Sequence, residues 1–528
     1  MTMTSRLKHL IIIITVFLII ILLVNPQGNF PLNDDWVHGH TVQSLLYEHK
    51  LDFYEFTGPI LIAQTFYGFI ISLITGFSYN FLRLSSLFFS ILSVIILYLI
   101  LEKNKVDKKI NLFACLMFLF NPILINTSFT FLTDVPFLFF YLFALWQFEK
   151  YFDKSRELNL GLGFLSTLIA FFIRQNGILL LGSLCLFFLL SYKKIKFKKD
   201  FLILTFVTSL LIVIGYILFK NYINISEGQT HLLEKNLLEN IGRWLFYSIQ
   251  YLGLFSLPLL IIYQKKLFAK KKIFLFLLFF IILFGLNKTI GANFPYIQNI
   301  INDYGLGPNT EVLMGIPAIV FTATLKIIVN LGASLGGALL LLFFILNFKK
   351  IWSNIFLKFI FINFILQLML ILVFISFDRY YLLLLPLIFI LITATEPEMF
   401  VTKKNFILPI IFLLFFAFFS ITLERNYMDW NRIRSYFYQE TAKNKLYYQI
   451  DGGYELNGQY TYEVMKNIPI LIDLSRPWYI NRLFPKNTME YVISFSELSN
   501  YKTIAEEEYY NYFLFKKVKI YLLQKIYK

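Results

Sequence analysis

Two adjacent carboxylates, Asp34 and Asp35, stand in the stretch "PLNDDWVHGHTVQSLLYEHK", just beyond the apolar run "LIIIITVFLIIILLV". Trp36 and three of the chain's five histidines, His38, His40 and His49, accompany them. A carboxylate beside a bilayer is costly to desolvate and marks a functional site by default. Partial desolvation raises its basicity, so it can take a proton from an attacking hydroxyl. An N-cap at the start of a helix over "WVHGHTVQSLLYEH" accounts for one acidic residue, not for two. In such a helix His38 follows Asp34 by four residues on the same face. That spacing suits a divalent cation, although a plain surface histidine is the commoner outcome.

Three further places interrupt apolar sequence with charge. Asp134 lies in "NTSFTFLTDVPFLFFYLFALWQFEKY", where Asp before Pro also fits a helix cap. The polar run of Asn126, Thr127, Ser128, Thr130 and Thr133 favours a wet cavity there. Asp378 and Arg379 divide "FISFDRYYLLLLPLIFIL". A loop ion pair explains them blandly. The functional alternative is an anion site, because a guanidinium is always charged and matches phosphate oxygens, with Tyr380 and Tyr381 as lining. Lys288 and Arg174 are weaker candidates for the same task.

These residues have to be positioned by a membrane bundle. Of 528 residues, 58% are hydrophobic. Apolar runs long enough for a bilayer core of roughly 30 Å recur along the chain. They fall near residues 9–24, 84–101, 110–126, 135–149, 160–173, 177–192, 201–219, 243–263, 273–287, 321–347, 353–377, 380–395 and 405–422. A further run, 60–76, is ambiguous. If it is interfacial, Lys103 to Lys109, Lys193 to Lys199, Lys265 to Lys272, Lys349, Lys350, Lys403 and Lys404 share one side with Arg6 and Lys8. That is a positive-inside pattern, and it gives about thirteen crossings with a cytoplasmic N-terminus. The net charge of +16 is thereby assigned to short loops, which leaves no case for nucleic acid. Cys115 and Cys185 sit in apolar runs as small hydrophobes. "SRLKHL" before the first run lacks a small-residue cleavage site and reads as a retained span.

The parity places Asp34, Asp35, Asp134, Arg379 and everything after Glu424 on the outer face. Residues 1–423 are expected as the transmembrane part, with 25–80 an outer loop carrying interfacial helices. Residues 424–528 are expected as a small extracytoplasmic α/β domain, because "EYVISFSEL" and "KKVKIYLLQKIYK" alternate as strands do. The outer loop from Asn287 to Gly315 is long enough to be functional, as a lid or an acceptor-site loop. "IDGGYELNG", Ile450 to Gly458, is a Gly-rich turn with no evident task.

Four features together form a pattern: the early acidic pair, the "GP" helix start in "YEFTGPILIAQ", the Asp of "FLTDVPFLFFYLFALWQFEKY", and "FIRQNG". This pattern resembles the GT-C-fold membrane glycosyltransferases that use polyprenyl-phosphate sugars. The family 39 group, with the protein mannosyltransferases and lipid A aminoarabinose transferases, is the nearest branch. The resemblance covers about the first 190 residues, and "FDRYYLLLLP" matches a late-span pattern more loosely. It implies a GT-C bundle with Asp34 as catalytic base, Asp35 beside it and Asp134 as the second-loop acid. Family members often carry Asp-Glu where this chain has Asp-Asp-Trp. Glu55 is displaced from the position before the Pro, which weakens the case for a metal.

The expected reaction is transfer of a sugar from a polyprenyl-phosphate donor to a hydroxyl of a lipid, polysaccharide or protein, with inversion. Asp34 would be the base, Asp35 or Asp134 would orient the acceptor or a divalent cation, and Arg379 would hold the phosphate. The rival from another class is a lipid-linked sugar transporter or flippase. That reading asks for charges at the bundle midplane, whereas these cluster at one face.

Overall fold

The computed structural model describes residues 3–192, 199–222, 237–263, 272–374, 377–397, 403–468, 473 and 476–527. The basic runs at 193–198 and 264–271, Lys235 and the loop at 398–402 lie outside the described residues. Every one of the thirteen apolar runs has a helix within it. Among the described residues, eight helices are long and apolar enough to cross a membrane, or nine if one bent pair is counted as a single span.

The first nine helices build the platform. Helix α1 is Met3–Val24, α2 is Asp35–Tyr47, α3 is Ile62–Thr75, α4 is Tyr79–Lys103 and α5 is Lys108–Leu119. Helix α6 is Pro122–Ser128, α7 is Asp134–Lys154, α8 is Glu157–Ile173 and α9 is Ile178–Ser191. Helix α3 has 14 residues, below the roughly 17 a span needs, as suits an interfacial element. Helices α5 and α6 bend by 58°. Pro122 at the first position of α6 cannot continue α5, and the Asn121 side chain caps the new helix by accepting from the Ile123 N–H.

The later helices close the bundle. Leu237–Ile262 crosses Ala323–Ser353 where Gly253 meets Gly336 and Gly337. A side chain at Gly253 would collide with the facing backbone, so glycine sets this close approach. The helix Ile407–Ala442 runs unbroken through residue 424, from apolar sequence into the tail.

The tail carries a four-stranded sheet in the order β3, β4, β6, β5. These strands are Ile450–Asp451, Tyr491–Ser494, Lys516–Lys525 and Tyr501–Asn511; β1 and β2, Ile301–Asn302 and Gly305–Leu306, form a small ribbon in the long loop before the helix Ala323–Ser353. Strand β3 runs parallel to β4, and the other pairs are antiparallel. Two of these strands match the expected ones. Strand β5 does not, since "YKTIAEEEYYN" exposes most of its residues and shows no buried alternation.

Candidate active site

The loop between α1 and α2 is pinned from below. Arg83 of α4 is wholly buried and donates to three carbonyls of that loop. They are Pro26 O at 2.6 Å, Gly28 O at 3.1 Å and Phe30 O at 3.0 Å. Asp35 is 1% exposed. Its Oδ2 accepts the Leu32 N–H at 3.2 Å and its Oδ1 the Phe131 N–H at 2.7 Å. Burial pushes its carboxyl up to about 8, against the opposing pull of Arg83 and the two backbone donors. Asp35, expected beside the base, therefore faces inward. It fastens the start of α2 to residue 131.

That arrangement leaves Asp34 outward. It occupies the N-cap position of α2 without a side-chain capping bond. Both terminal nitrogens of Arg379 donate to its Oδ2, each at 3.2 Å. Tyr454 of the tail donates its hydroxyl to Oδ1 at 3.3 Å. Arg379 comes from the short turn Asp378–Leu382. Asp378 does not share this pair. It is buried and accepts the Ile300 and Ile301 N–H groups, at 2.9 and 2.6 Å for their shortest bonds, which draws that loop inward.

A second ion pair lies alongside. Asp134 begins α7 without acting as its cap, and Arg174, just past α8, donates to its Oδ1. The Tyr380 ring lies between the two guanidinium groups, 4.9 Å from Arg174 and 5.8 Å from Arg379. Two arginines and two aspartates thus meet around one ring. An incoming anion finds two cations whose present partners are carboxylates it can displace, and the displaced carboxylate is left free to accept a proton.

His38 lies beside this cluster, and burial pushes its imidazole down while Asp34 opposes the shift. Its Nδ1 is 3.1 Å from Phe131 O, which also accepts Gln64 Nε2 at 2.7 Å. Among the described residues no three His, Cys, Asp or Glu side chains are grouped to hold a metal. Lys288 stands apart over the ring of its helix neighbour Phe284, at 5.3 Å. A cleft of about 270 Å³ opens on α2 between His40, Tyr54 and Glu463; neither Asp34 nor Arg379 lines it.

The Gly-rich turn now has a task. Asp451 accepts from the Gly453 N–H at 3.0 Å, Asn457 Nδ2 at 2.8 Å and the Tyr479 hydroxyl at 3.2 Å, which folds the turn onto itself. Gly453 has φ of +89°, and a side chain there would strike Val312 O. The turn launches the helix Tyr454–Met465 against α2. Tyr454 meets the Trp36 ring at 5.6 Å, and Gly458 leaves room for that ring. Glu455 takes Arg434 Nη1 at 2.7 Å on one oxygen and the Asn33 N–H at 3.1 Å on the other. Sequence reasoning missed Arg83, Arg434, Tyr454 and Glu455. The only signal was a charge embedded in apolar or turn sequence, whose partner lies far along the chain.

Residues 63–219 match the family model described as dolichyl-phosphate-mannose-protein mannosyltransferase. Three solved structures are similar. The S. cerevisiae protein O-mannosyltransferase Pmt1–Pmt2 complex bound to the sugar donor shares 16% identity at a TM-score of 0.34, covering 45% of this chain and 35% of that one. ArnT from Cupriavidus metallidurans bound to undecaprenyl phosphate shares 10% at 0.43, covering 85% and 75%. The apo state of the same enzyme shares 9% at 0.43, covering 81% and 69%. No curated protein matches the chain. The resemblance to polyprenyl-phosphate-sugar glycosyltransferases read from the sequence is borne out by the family match over residues 63–219, within a multi-pass helical membrane protein.

Proposed function

We propose that the protein transfers a sugar from a polyprenyl-phosphate donor to an acceptor hydroxyl on the outer face of the membrane. The observation that carries the reading is the Asp34–Arg379 pair, which joins a carboxylate and a phosphate-matching cation at one point. The family match over 63–219 supports a sugar carried on a lipid phosphate. The donor phosphate engages Arg379 and Arg174, which leaves Asp34 open to the acceptor. Asp34 takes the proton of the acceptor hydroxyl as its oxygen attacks the anomeric carbon. The bond from that carbon to the phosphate oxygen breaks, and the lipid phosphate leaves with the electron pair. The two guanidinium groups stabilise its developing charge. Single displacement inverts the anomeric centre. Asp134 orients Arg174, and Asp35 acts by holding α2.

In this reading the N-terminus is cytoplasmic, and residues 424–528 form an outer domain that delivers Tyr454 to the base. The lipid chain lies in an apolar groove between spans. The test is release of free lipid phosphate by purified protein in nanodiscs, given a panel of radiolabelled polyprenyl-phosphate sugars and membrane extract. Acceptor-dependent release from one donor is expected. Translocation of donor across the bilayer without release would favour the transporter instead.

A further inference from the structure

The turn joining β5 and β6 reads Tyr512-Phe513-Leu514-Phe515, and β6 opens with Lys516-Lys517. Hairpin turns in water favour Asn, Gly and Asp. Here the conformation is already supplied by one such residue: Asn511 Oδ1 accepts the Phe513 and Leu514 N–H groups at 3.1 and 2.9 Å. The aromatic tip is not needed to make the turn.

Its depth can be read against the helix Ile407–Ala442. Arg425 donates to Leu23 O at 3.2 Å, so residue 425 is level with the last turn of α1. Asn426, one residue on, accepts from Tyr509 at 2.9 Å and Asn511 at 2.7 Å. The Tyr512 ring lies 6.0 Å from the Arg425 guanidinium. Phe513 and Phe515 then stack on Phe418, each at 6.0 Å. Seven residues separate Phe418 from Arg425, a rise of about 10 Å along the helix. The hairpin therefore descends beside the apolar part of a span.

Packing onto the protein explains Phe513, which also touches Phe321 and Phe419. It does not explain Phe515, which remains 69% exposed, nor Tyr512 at 46%. The Phe418 face beneath them is 40% exposed, continuous with Leu414 and Phe415 on the apolar surface of the span. Lys516 is exposed and has no partner among the described residues.

We propose that this hairpin tip is a membrane-binding element: Phe515 and Leu514 enter the acyl region of the leaflet on the tail's side, Tyr512 lies at the headgroup level, and Lys516 meets lipid phosphate. The depth matches that of interfacial anchors, and the order apolar tip, aromatic belt, lysine is the one a bilayer interface selects. The occupant is the bilayer itself, because the tip continues a surface that lipid already covers. The element ties the tail to the membrane plane.

The test uses the full chain in nanodiscs of phosphatidylethanolamine and phosphatidylglycerol. A nitroxide is placed at Phe515→Cys in a Cys185→Ser background, with Cys115 left buried and inert. Glu507→Cys on β5 is the water-exposed control. Collision with oxygen is expected to exceed collision with a water-soluble nickel chelate at residue 515, and the reverse at 507. Nickel-dominated collision at 515, as at 507, would overturn the proposal. If the label at 515 lowers the melting temperature, Leu514→Cys is read the same way and decides by the same criterion.

Discussion

Both terminal nitrogens of Arg379 converge on one oxygen of Asp34, each at 3.2 Å. The two residues are 345 positions apart in the chain, and the side chains are 12% and 30% exposed. The pair joins the loop before α2 to the turn Asp378–Leu382.

Arg379→Lys keeps the charge and loses the fork. Transfer is expected to fall about 100-fold, with Arg379→Ala lower still, as when one preorganised donor to a developing anion is removed. Steady-state kinetics with the labelled donor check this. Unchanged kcat/KM in the lysine variant would remove Arg379 from the phosphate site.

Tyr454→Phe deletes one hydroxyl and leaves the contact with Trp36. A hydrogen bond to a charged group contributes about 1.5 kcal/mol at the weak end of its range, so a fall of roughly ten-fold in kcat is expected. The donor KM should stay constant, since the hydroxyl donates to Asp34 and to neither Arg379 nor Arg174. A change in KM alone would assign Tyr454 to substrate binding.

The Arg434–Glu455 pair is fully buried, with both side chains 0% exposed. Glu455→Gln leaves an uncompensated guanidinium, which is expected to cost about 3–5 kcal/mol. The tail should lose hydrogen-exchange protection around residues 450–465 before the spans do. The double variant Arg434→Met with Glu455→Leu should recover most of it. No loss in the single variant would show that this pair does not dock the tail.

Burial holds the Asp35 carboxyl at about 8, far above its ordinary value near 4. The folded protein therefore keeps a proton there that the unfolded chain releases. The stability this provides is complete below about pH 4 and is lost as pH rises to about 8, with a slope near 1.4 kcal/mol per unit. Asp35→Asn should flatten the decline in melting temperature between pH 5 and 8. An identical pH profile in the variant would contradict the buried, protonated state.

The sequence exposed some of this arrangement and hid the rest for physical reasons. Asp34, Asp134, Arg174 and Arg379 stood out because a charge next to apolar sequence is costly and needs a partner. The structure brings these four together with Tyr380. The apolar run 60–76 was legible as a helix, and Ile62–Thr75 lies within it. Arg83 and Glu455 were illegible because their role is to hold backbone groups whose identity depends on the fold. Asp378 was read with Arg379 as neighbours in sequence, yet its oxygens belong to Ile300 and Ile301. Strand β5 escaped because a strand exposed on both faces has no burial alternation to report. The helix Ile407–Ala442 extends past the expected boundary because Tyr427, Trp430 and Arg434 continue its buried face into the tail.

Asp34 is proposed as the base. That role is tested most directly by comparing wild type with Asp34→Asn in nanodiscs, after donor binding by each has been measured. Donor binding is expected to be retained through Arg379 and Arg174, while acceptor-dependent release of lipid phosphate falls by at least about 1,000-fold. Release at the wild-type rate by the asparagine variant would contradict it.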